Sequence, residues 1–261
     1  DARDIIHQIR QMSGAHASRI LAFNVDAGAL HKCDAVTGTN KSDQRRWSKV
    51  WFGFPHVGAG HKDEHRNVLA NQLLILRFLI SVAPYLTEGP LPEAIQGRKR
   101  RAASEDDEDD EEPIEAADDE PDVSATSVPP RRQGSVLITI RNVVPYTLWN
   151  IPMLGKRLRD VLQPIAASAP SPPKGIRAPT VSDVDKNGAQ YVLWRSFEFV
   201  PSDWPGYSHR RTVGFVEGLS TSHNEDLLRR PTQPPQQGQP SGRHVGTGEC
   251  RTYELALQPV H

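Results

Sequence analysis

The segment Phe54-Pro55-His56 combines residue types that suit a small chemical site. The proline ring stiffens the turn, and the imidazole of His56 has an unperturbed pKa near neutrality. These properties make His56 a candidate proton acceptor, with Phe54 and Pro55 shaping the surface beside it. The alternative is that His56 only caps the loop by hydrogen bonding, and the sequence leaves both interpretations open.

Asp26 is a candidate ligand-binding carboxylate because it directly follows residues 19–25, which are predicted to form a short strand. Sheets of α/β proteins bind ligands at the carboxyl ends of their parallel strands. Ala27 comes next in the chain and would lie at the same end. The alternative is that Asp26 caps a turn or a helix.

Aromatic and basic side chains alternate in one loop near the other end of the chain. They suit stacking on bases and contact with phosphate, and Arg141 could line the same surface. The alternative is a packed turn that anchors a hairpin and leaves the arginines in solvent. The candidates in this loop are Trp204, Tyr207, His209, Arg210 and Arg211.

A metal site is not expected. His56, His61 and His65 have a spacing that matches neither HExxH nor a zinc finger, and a polar loop leading into a helix explains them better. Cys33 and Cys250 are the two cysteines, and they have no CxxC spacing.

Hydrophobic periodicity predicts alternating helices and strands, and therefore an α/β layered sheet. The continuous apolar run at 136–140 is typical of a central strand covered on both faces. Residues 64–86 include polar side chains and are predicted to be a buried helix, not a membrane span. Helices are predicted at 2–12, 64–86 and 149–162, and strands at 19–25, 49–54, 136–140, 191–200 and 250–257.

Composition is uneven along the chain. The hydrophobic fraction of 37% and mean hydropathy of −0.55 are low, so part of the chain is expected outside the core. Residues 96–133 change from basic to acidic, and 219–247 are rich in Pro, Gln and Gly, so both are predicted to be disordered insertions. Residues 1–95 and 134–261 would form one domain, and its net basic charge is compatible with a nucleic-acid partner.

Several ordered blocks resemble the Rossmann-like domain of the fungal 25S rRNA (uridine-N3) methyltransferase family. Together they cover nearly all segments that are predicted to be ordered. The blocks are Val25-Asp26-Ala27 with Leu30-His31, Phe52-Gly53-Phe54-Pro55-His56-Val57-Gly58 with Asn67 and Asn71, Trp204-Pro205-Gly206-Tyr207 with His209-Arg210-Arg211-Thr212, and Arg251-Thr252-Tyr253-Glu254.

The resemblance implies a class I methyltransferase fold, with helices on both faces of a seven-stranded sheet and a closing antiparallel pair. Residues 19–25, 49–54 and 135–140 would be its third, fourth and fifth strands, and 191–200 and 250–257 the closing pair. The family's first two strands, with their Gly-rich cofactor loop and acidic ribose ligand, have no counterpart here. We therefore expect an incomplete sheet and a chain that, alone, binds cofactor poorly and is inactive.

The resemblance also implies S-adenosylmethionine-dependent methylation of uracil N3 in ribosomal RNA of pre-60S particles, in the nucleus and nucleolus. Asp26, Ala27 and Phe54 would contact the cofactor, and the loop from Phe54 to His56 would hold the target base. The basic residues 98–101 fit a nuclear-localisation signal. The alternatives are a degenerate or truncated module that binds RNA or a ribosome-assembly partner without catalysis, and a methyltransferase for another substrate.

Overall fold

The computed structural model of the chain describes residues 6–9, 11, 21–39, 44–58, 63–91, 132–171, 175–200, 203–204 and 250–258. Most of the two predicted insertions lies outside these residues. Residues 6–9 and 11 are helical, in agreement with the helix predicted at 2–12.

Four strands form one open, mixed sheet in the spatial order β1-β2-β4-β3. The strands are β1 (Lys49–Gly53), β2 (Ser135–Arg141), β3 (Tyr191–Glu198) and β4 (Cys250–Leu257). β1 and β2 are parallel, and β4 is antiparallel to both β2 and β3. All four strands agree with their predicted positions, and the last two form the expected antiparallel pair.

The strand β2 is the centre of the sheet. Val136, Ile138 and Ile140 are almost completely buried on one face, and Ser135 and Thr139 are buried on the other. This burial on both faces explains why the sequence at β2 is a continuous apolar run with short hydroxyl side chains.

One face of the sheet is covered by the helix α2 (Glu64–Val82), which follows the short helix α1 (Asp34–Thr37). Asp63 caps α2 by accepting a hydrogen bond from the backbone N–H of Arg66, and a 3-10 turn at Ala83–Tyr85 ends it. Phe78 of α2 packs against Phe52 of β1, with ring centroids 4.4 Å apart. The helix is long and apolar enough to cross a membrane, but 72% of its apolar window is buried, so α2 is a core helix.

The helix predicted at 149–162 is broken into three pieces. A 3-10 turn at Tyr146–Trp149 precedes α3 (Ile151–Lys156) and α4 (Leu158–Ser168). Asn150 adopts a left-handed conformation (φ 48°, ψ 63°), which separates the first piece from α3, and its side chain then caps α3. The helix α4 also continues beyond residue 162, where the predicted helix ends.

A further helix, α5 (Val181–Asn187), was not predicted. Thr180 and Asp183 form a capping box at its start, and this Thr-x-x-Asp spacing was the available sequence signal.

The strand predicted at 19–25 is wrong over the described residues 21–25, which form no strand. Asn24 has a positive φ of 56°, which interrupts an extended conformation. Phe23 and Val25 are exposed, so the apolar pattern of this segment does not reflect burial in the sheet.

Candidate active site

The carboxyl ends of β1, β2 and β3 meet the start of β4 at one edge of the sheet, called here the carboxyl edge. The backbone N–H of Phe54 donates to the carbonyl of Thr139 (2.8 Å), which joins the ends of β1 and β2. Phe199 donates in the same way to Cys250 (2.9 Å), and Arg141 is paired with Cys250. The topology therefore brings the ends of all four strands together.

Phe54 turns the chain out of the sheet. Its φ of 50° is unusual for a residue with a side chain, and such conformations cluster at functional sites. The turn places the Phe54 ring edge-on against Phe199, with centroids 5.9 Å apart. Pro55 follows and is buried, which fixes the direction of the loop.

An aromatic patch, formed by Trp51, Phe54, Phe199 and Trp204, lies at the carboxyl edge. Trp51 stacks on Trp204 (6.3 Å, 22°), and Phe199 stacks on Trp204 (5.9 Å, 25°). Trp51 is 49% exposed and Trp204 is 53% exposed, so about half of each side chain is accessible to a ligand. The indole N–H of Trp51 donates to Thr139 Oγ1 (2.8 Å), which orients its ring.

Sequence reasoning selected Phe54 and Trp204 for this site but missed Trp51 and Phe199. The available signal for Trp51 was strand alternation, which directs its side chain to the face opposite Val50 and Phe52. No local signal pointed to Phe199, because its role depends on contacts with distant residues.

The loop from Pro55 to Gly58 is held by two hydrogen bonds. Val57 N–H donates to Asn71 Oδ1 (2.9 Å), and the amide of Asn71 is in turn bonded to Asn67. Gly58 N–H donates to His56 Nδ1 (2.8 Å). The loop-capping contact that was considered for His56 is therefore present.

His56 lies beside two aromatic rings that belong to the segment after β2. Its ring centroid is 6.4 Å from that of Tyr146 and 6.2 Å from that of Trp149. Partial burial lowers the pKa of His56 below its usual value, because the charged imidazolium loses hydration. The imidazole is therefore predominantly neutral at pH 7.

Arg141 ends β2 on the same side of the sheet. Its guanidinium lies over the ring of Tyr146, 5.8 Å from the centroid. Within the described part of the chain, Arg141 Nε and Trp149 Nε1 are buried without a hydrogen-bond partner. Tyr207, His209, Arg210 and Arg211 lie outside the described residues.

The structure does not bring Asp26 and Ala27 to the carboxyl edge. Asp26 caps the 3-10 helix Ala27–Lys32 by accepting from Gly28 N–H (2.8 Å), and it pairs with Arg77 (3.1 Å). Arg77 lies roughly 9 Å farther along α2 than Asn71, which contacts the His56 loop.

The position of Leu30 supports this separation. Its backbone N–H donates to Ser81 Oγ near the end of α2. The chain after α2 reaches Leu86, which forms a β-bridge with Trp47, just before the first residue of β1. The segment that begins at Asp26 therefore packs toward the amino ends of the strands. A cavity of about 620 Å³ lies there, with Asp26, Arg77 and Lys186 in its lining.

A metal-binding cluster is absent from the part of the chain that the structure describes, where no group of three or more His, Cys, Asp or Glu side chains could hold an ion. His56 and His65 are among the residues searched, and His61 is not. The carboxyl edge carries aromatic rings, the imidazole of His56 and the guanidinium of Arg141.

Comparisons with known proteins agree with the resemblance. A family model described as rRNA (uridine-N3-)-methyltransferase BTM5-like matches residues 1–211. The 25S rRNA (uridine(2634)-N(3))-methyltransferase of Saccharomyces cerevisiae is 25% identical over 202 residues, which are 73% of this chain and 47% of the yeast protein. The chain thus spans about half the length of this curated relative, and no solved structure matches it significantly. Because the family model covers most of the chain, the chain belongs to the BMT5-like rRNA (uridine-N3-)-methyltransferase family.

Proposed function

We propose that this chain provides the target-base side of an S-adenosylmethionine-dependent methyltransferase that modifies uracil N3 in large-subunit ribosomal RNA. The name of the yeast relative states this reaction for that protein. By extension, the substrate would be ribosomal RNA of pre-60S particles, and the place of action the nucleus and nucleolus.

The sheet topology supports a Rossmann-like methyltransferase fold. The predicted fourth and fifth strands, β1 and β2, are parallel neighbours, and the closing pair β3 and β4 is antiparallel and adjoins β2. β1 is the edge strand of the described sheet, and its free side is where the family fold would place further strands. Such an arrangement collects ligand-binding loops at one edge.

The observation that carries the proposal is the loop Phe54-Pro55-His56 beside the aromatic patch at that edge. Aromatic ring faces suit stacking on an unstacked base, and a target in structured RNA must leave its stack to react. Hydrogen bonds from the backbone N–H groups of Val57 and Gly58 hold this loop in place, so its backbone carbonyls and the His56 ring have fixed positions beside the patch. These are the parts needed to orient one edge of a pyrimidine.

The residues that are expected to contact the cofactor lie in two different regions of the fold. Phe54 lies at the carboxyl edge, whereas the carboxylate of Asp26 is bonded to Gly28 and Arg77 near the other end of α2. A contact from Asp26 or Ala27 to the cofactor remains a prediction. We therefore assign the described residues to base binding. The cofactor, which donates the methyl group, would be bound mainly by other residues of the protein.

A methylation assay on the full gene product that contains this chain tests the proposal. The protein is incubated with radiolabelled S-adenosylmethionine and unmodified large-subunit rRNA, and the RNA is digested to nucleosides. We expect label in 3-methyluridine, with Phe54→Ala lowering the rate at least about tenfold by misplacing the base. Label in a different nucleoside, or RNA binding without methyl transfer, would refute the uracil-N3 assignment.

A further inference from the structure

We propose that His56 recognises the target uracil as a neutral hydrogen-bond donor through Nε2, and that it is not the base that removes the N3 proton. This inference rests on the proposed function and adds a substrate contact to the same site.

The hydrogen bond from Gly58 fixes the protonation state of the ring. A backbone N–H that donates to His56 Nδ1 at 2.8 Å requires a lone pair on that nitrogen. In a neutral imidazole the single ring proton must then reside on Nε2. Gly58 has a φ of 70°, so its N–H direction is set by a turn that favours glycine.

A general base needs a free accepting nitrogen. Nδ1 is already occupied by Gly58, and Nε2 carries the proton, so His56 has no lone pair to offer in this arrangement. Among the described residues Nε2 has no hydrogen-bond partner, although the ring is packed near Tyr146 and Trp149. An unused donor on a rigid loop at the carboxyl edge suits an acceptor on the substrate.

Uracil presents such acceptors next to the reacting atom, because carbonyl oxygens flank N3 on both sides. A donor from His56 to one of these oxygens would orient the pyrimidine edge and withdraw electron density from the N3–H bond. Loss of hydration keeps His56 neutral, so the donor would be present throughout the neutral and alkaline pH range.

The first test is long-range ¹H–¹⁵N NMR on the chain at pH 7.5. We expect His56 to show an unprotonated Nδ1 and a protonated Nε2, and addition of oligouridylate to shift its Nε2 resonance. The His56→Gln variant lacks the His56 ring signals and so identifies them, and His65→Gln, which changes an exposed histidine at the start of α2, is the control. A proton on Nδ1, or no uridine-dependent shift of His56, overturns the proposal.

The second test separates a donor from a base by substitution. His56→Gln keeps an N–H donor but cannot titrate, whereas His56→Ala removes the donor. We expect His56→Ala to weaken oligouridylate binding roughly five- to tenfold, and His56→Gln and His65→Gln to bind within about twofold of the wild type. Equal binding by the wild type and His56→Ala overturns the proposal.

In the full gene product, we expect His56→Gln to methylate RNA faster than His56→Ala and to keep the shape of the wild-type pH profile, because the proposed role of His56 needs a donor and no titration. Activity of His56→Gln as low as that of His56→Ala, together with loss of a rising limb from the pH profile, would instead identify His56 as the base. If the gene product does not methylate rRNA at all, the proposed function fails, while the NMR and binding results still decide the donor role of His56.

Discussion

At the residue scale, the site depends on side chains whose roles are set by their nearest hydrogen bonds. Trp51 is oriented by Thr139, His56 by Gly58, and Asp26 by Gly28 and Arg77. A different hydrogen-bond partner would give each of these three side chains a different orientation and therefore a different role. Substitutions at these positions therefore test the local geometry directly.

Trp204 is expected to contribute to RNA binding through its exposed ring. We expect Trp204→Ala to weaken binding of a fluorescein-labelled oligouridylate at least about fivefold, because stacking of one base on an aromatic ring is worth about 1–3 kcal/mol. Fluorescence anisotropy measures the affinity. Trp47→Phe is the matched control, since Trp47 is also a partly exposed tryptophan but lies before β1, at the other end of the strand. Equal affinities for the two variants would exclude stacking at Trp204.

Asp26 is expected to stabilise the fold as a helix cap. Asp26→Ala removes the bond to Gly28 and should lower the free energy of unfolding by about 1 kcal/mol. Loss of the ion pair should add to this effect, because the Arg77 side chain is 11% exposed and Asp26→Ala leaves its guanidinium without this carboxylate. Urea unfolding measures the change. Asp34→Ala, at an exposed position without a side-chain cap, should change stability by less than about 0.5 kcal/mol. Similar values for the two variants would contradict the capping role.

At the scale of elements, one carboxylate connects all four strands. Glu254 of β4 is completely buried and bonds Lys49 of β1 (2.6 Å), Ser135 of β2 (2.6 Å) and Arg195 of β3 (2.8 Å). The partners Lys49 and Arg195 are about half exposed, so they reach the buried carboxylate from the surface. This arrangement fixes the lateral order of the strands on the face opposite α2.

Replacement of this carboxylate should destabilise the sheet. We expect Glu254→Gln to lower the free energy of unfolding by about 2 kcal/mol at pH 7, because a buried amide cannot accept all three bonds. Urea unfolding followed by circular dichroism provides the measurement. Glu88→Gln is the control, since the ion pair of Glu88 with Arg46 is on the surface and should contribute little. A Glu254→Gln variant as stable as Glu88→Gln would show that the network is dispensable.

The same carboxylate predicts a pH dependence. Burial alone would raise the pKa of Glu254, but the hydrogen bonds from Lys49, Ser135 and Arg195 outweigh it and lower the pKa. A lowered folded-state pKa gives stability that is present above about pH 4.5 and is lost as the pH falls through the folded value. The stability difference between wild type and Glu254→Gln should therefore shrink below pH 4. A difference that stays constant down to pH 2 would contradict this assignment.

At the scale of the whole molecule, the segments 1–95 and 134–261 are expected to act as one domain. The backbone on either side of the acidic insertion is joined by hydrogen bonds: Gln133 N–H donates to the carbonyl of Pro90 (3.1 Å), and Thr87 Oγ1 donates to that of Arg132 (2.9 Å). Chain ends that lie this close can be connected by a short loop.

Replacement of residues 92–131 by a short Gly/Ser linker should therefore preserve the fold. We expect one cooperative unfolding transition and a free energy of unfolding within about 1 kcal/mol of the wild type, because loop-closure entropy varies slowly with length. Urea unfolding with two spectroscopic probes tests for a single transition. Two separate transitions, or loss of folding, would show that the two segments are not one domain.

The sequence alone determined the elements with strong local patterns. Val136, Ile138 and Ile140 predicted β2, and the apolar residues of 64–86 predicted α2, because burial imposes a periodicity that is visible in a short window. Because Pro55 and His56 directly follow the strand predicted at 49–54, the sequence also placed the Phe54–His56 loop at the end of a strand. Other segments were less predictable: Phe23 and Val25 are apolar but exposed, and Asn150 divides an apparently continuous helix.

The tertiary structure decided which distant residues share a site. Phe199 and Trp204 meet Trp51 only because β3 is parallel to β2 and ends at the same edge, whereas Asp26 pairs with Arg77 of α2, away from that edge. Glu254 finds its three partners only after all four strands have paired. Local propensity acts over a few residues, whereas these contacts depend on strand order and helix packing, which are set by burial across the whole chain.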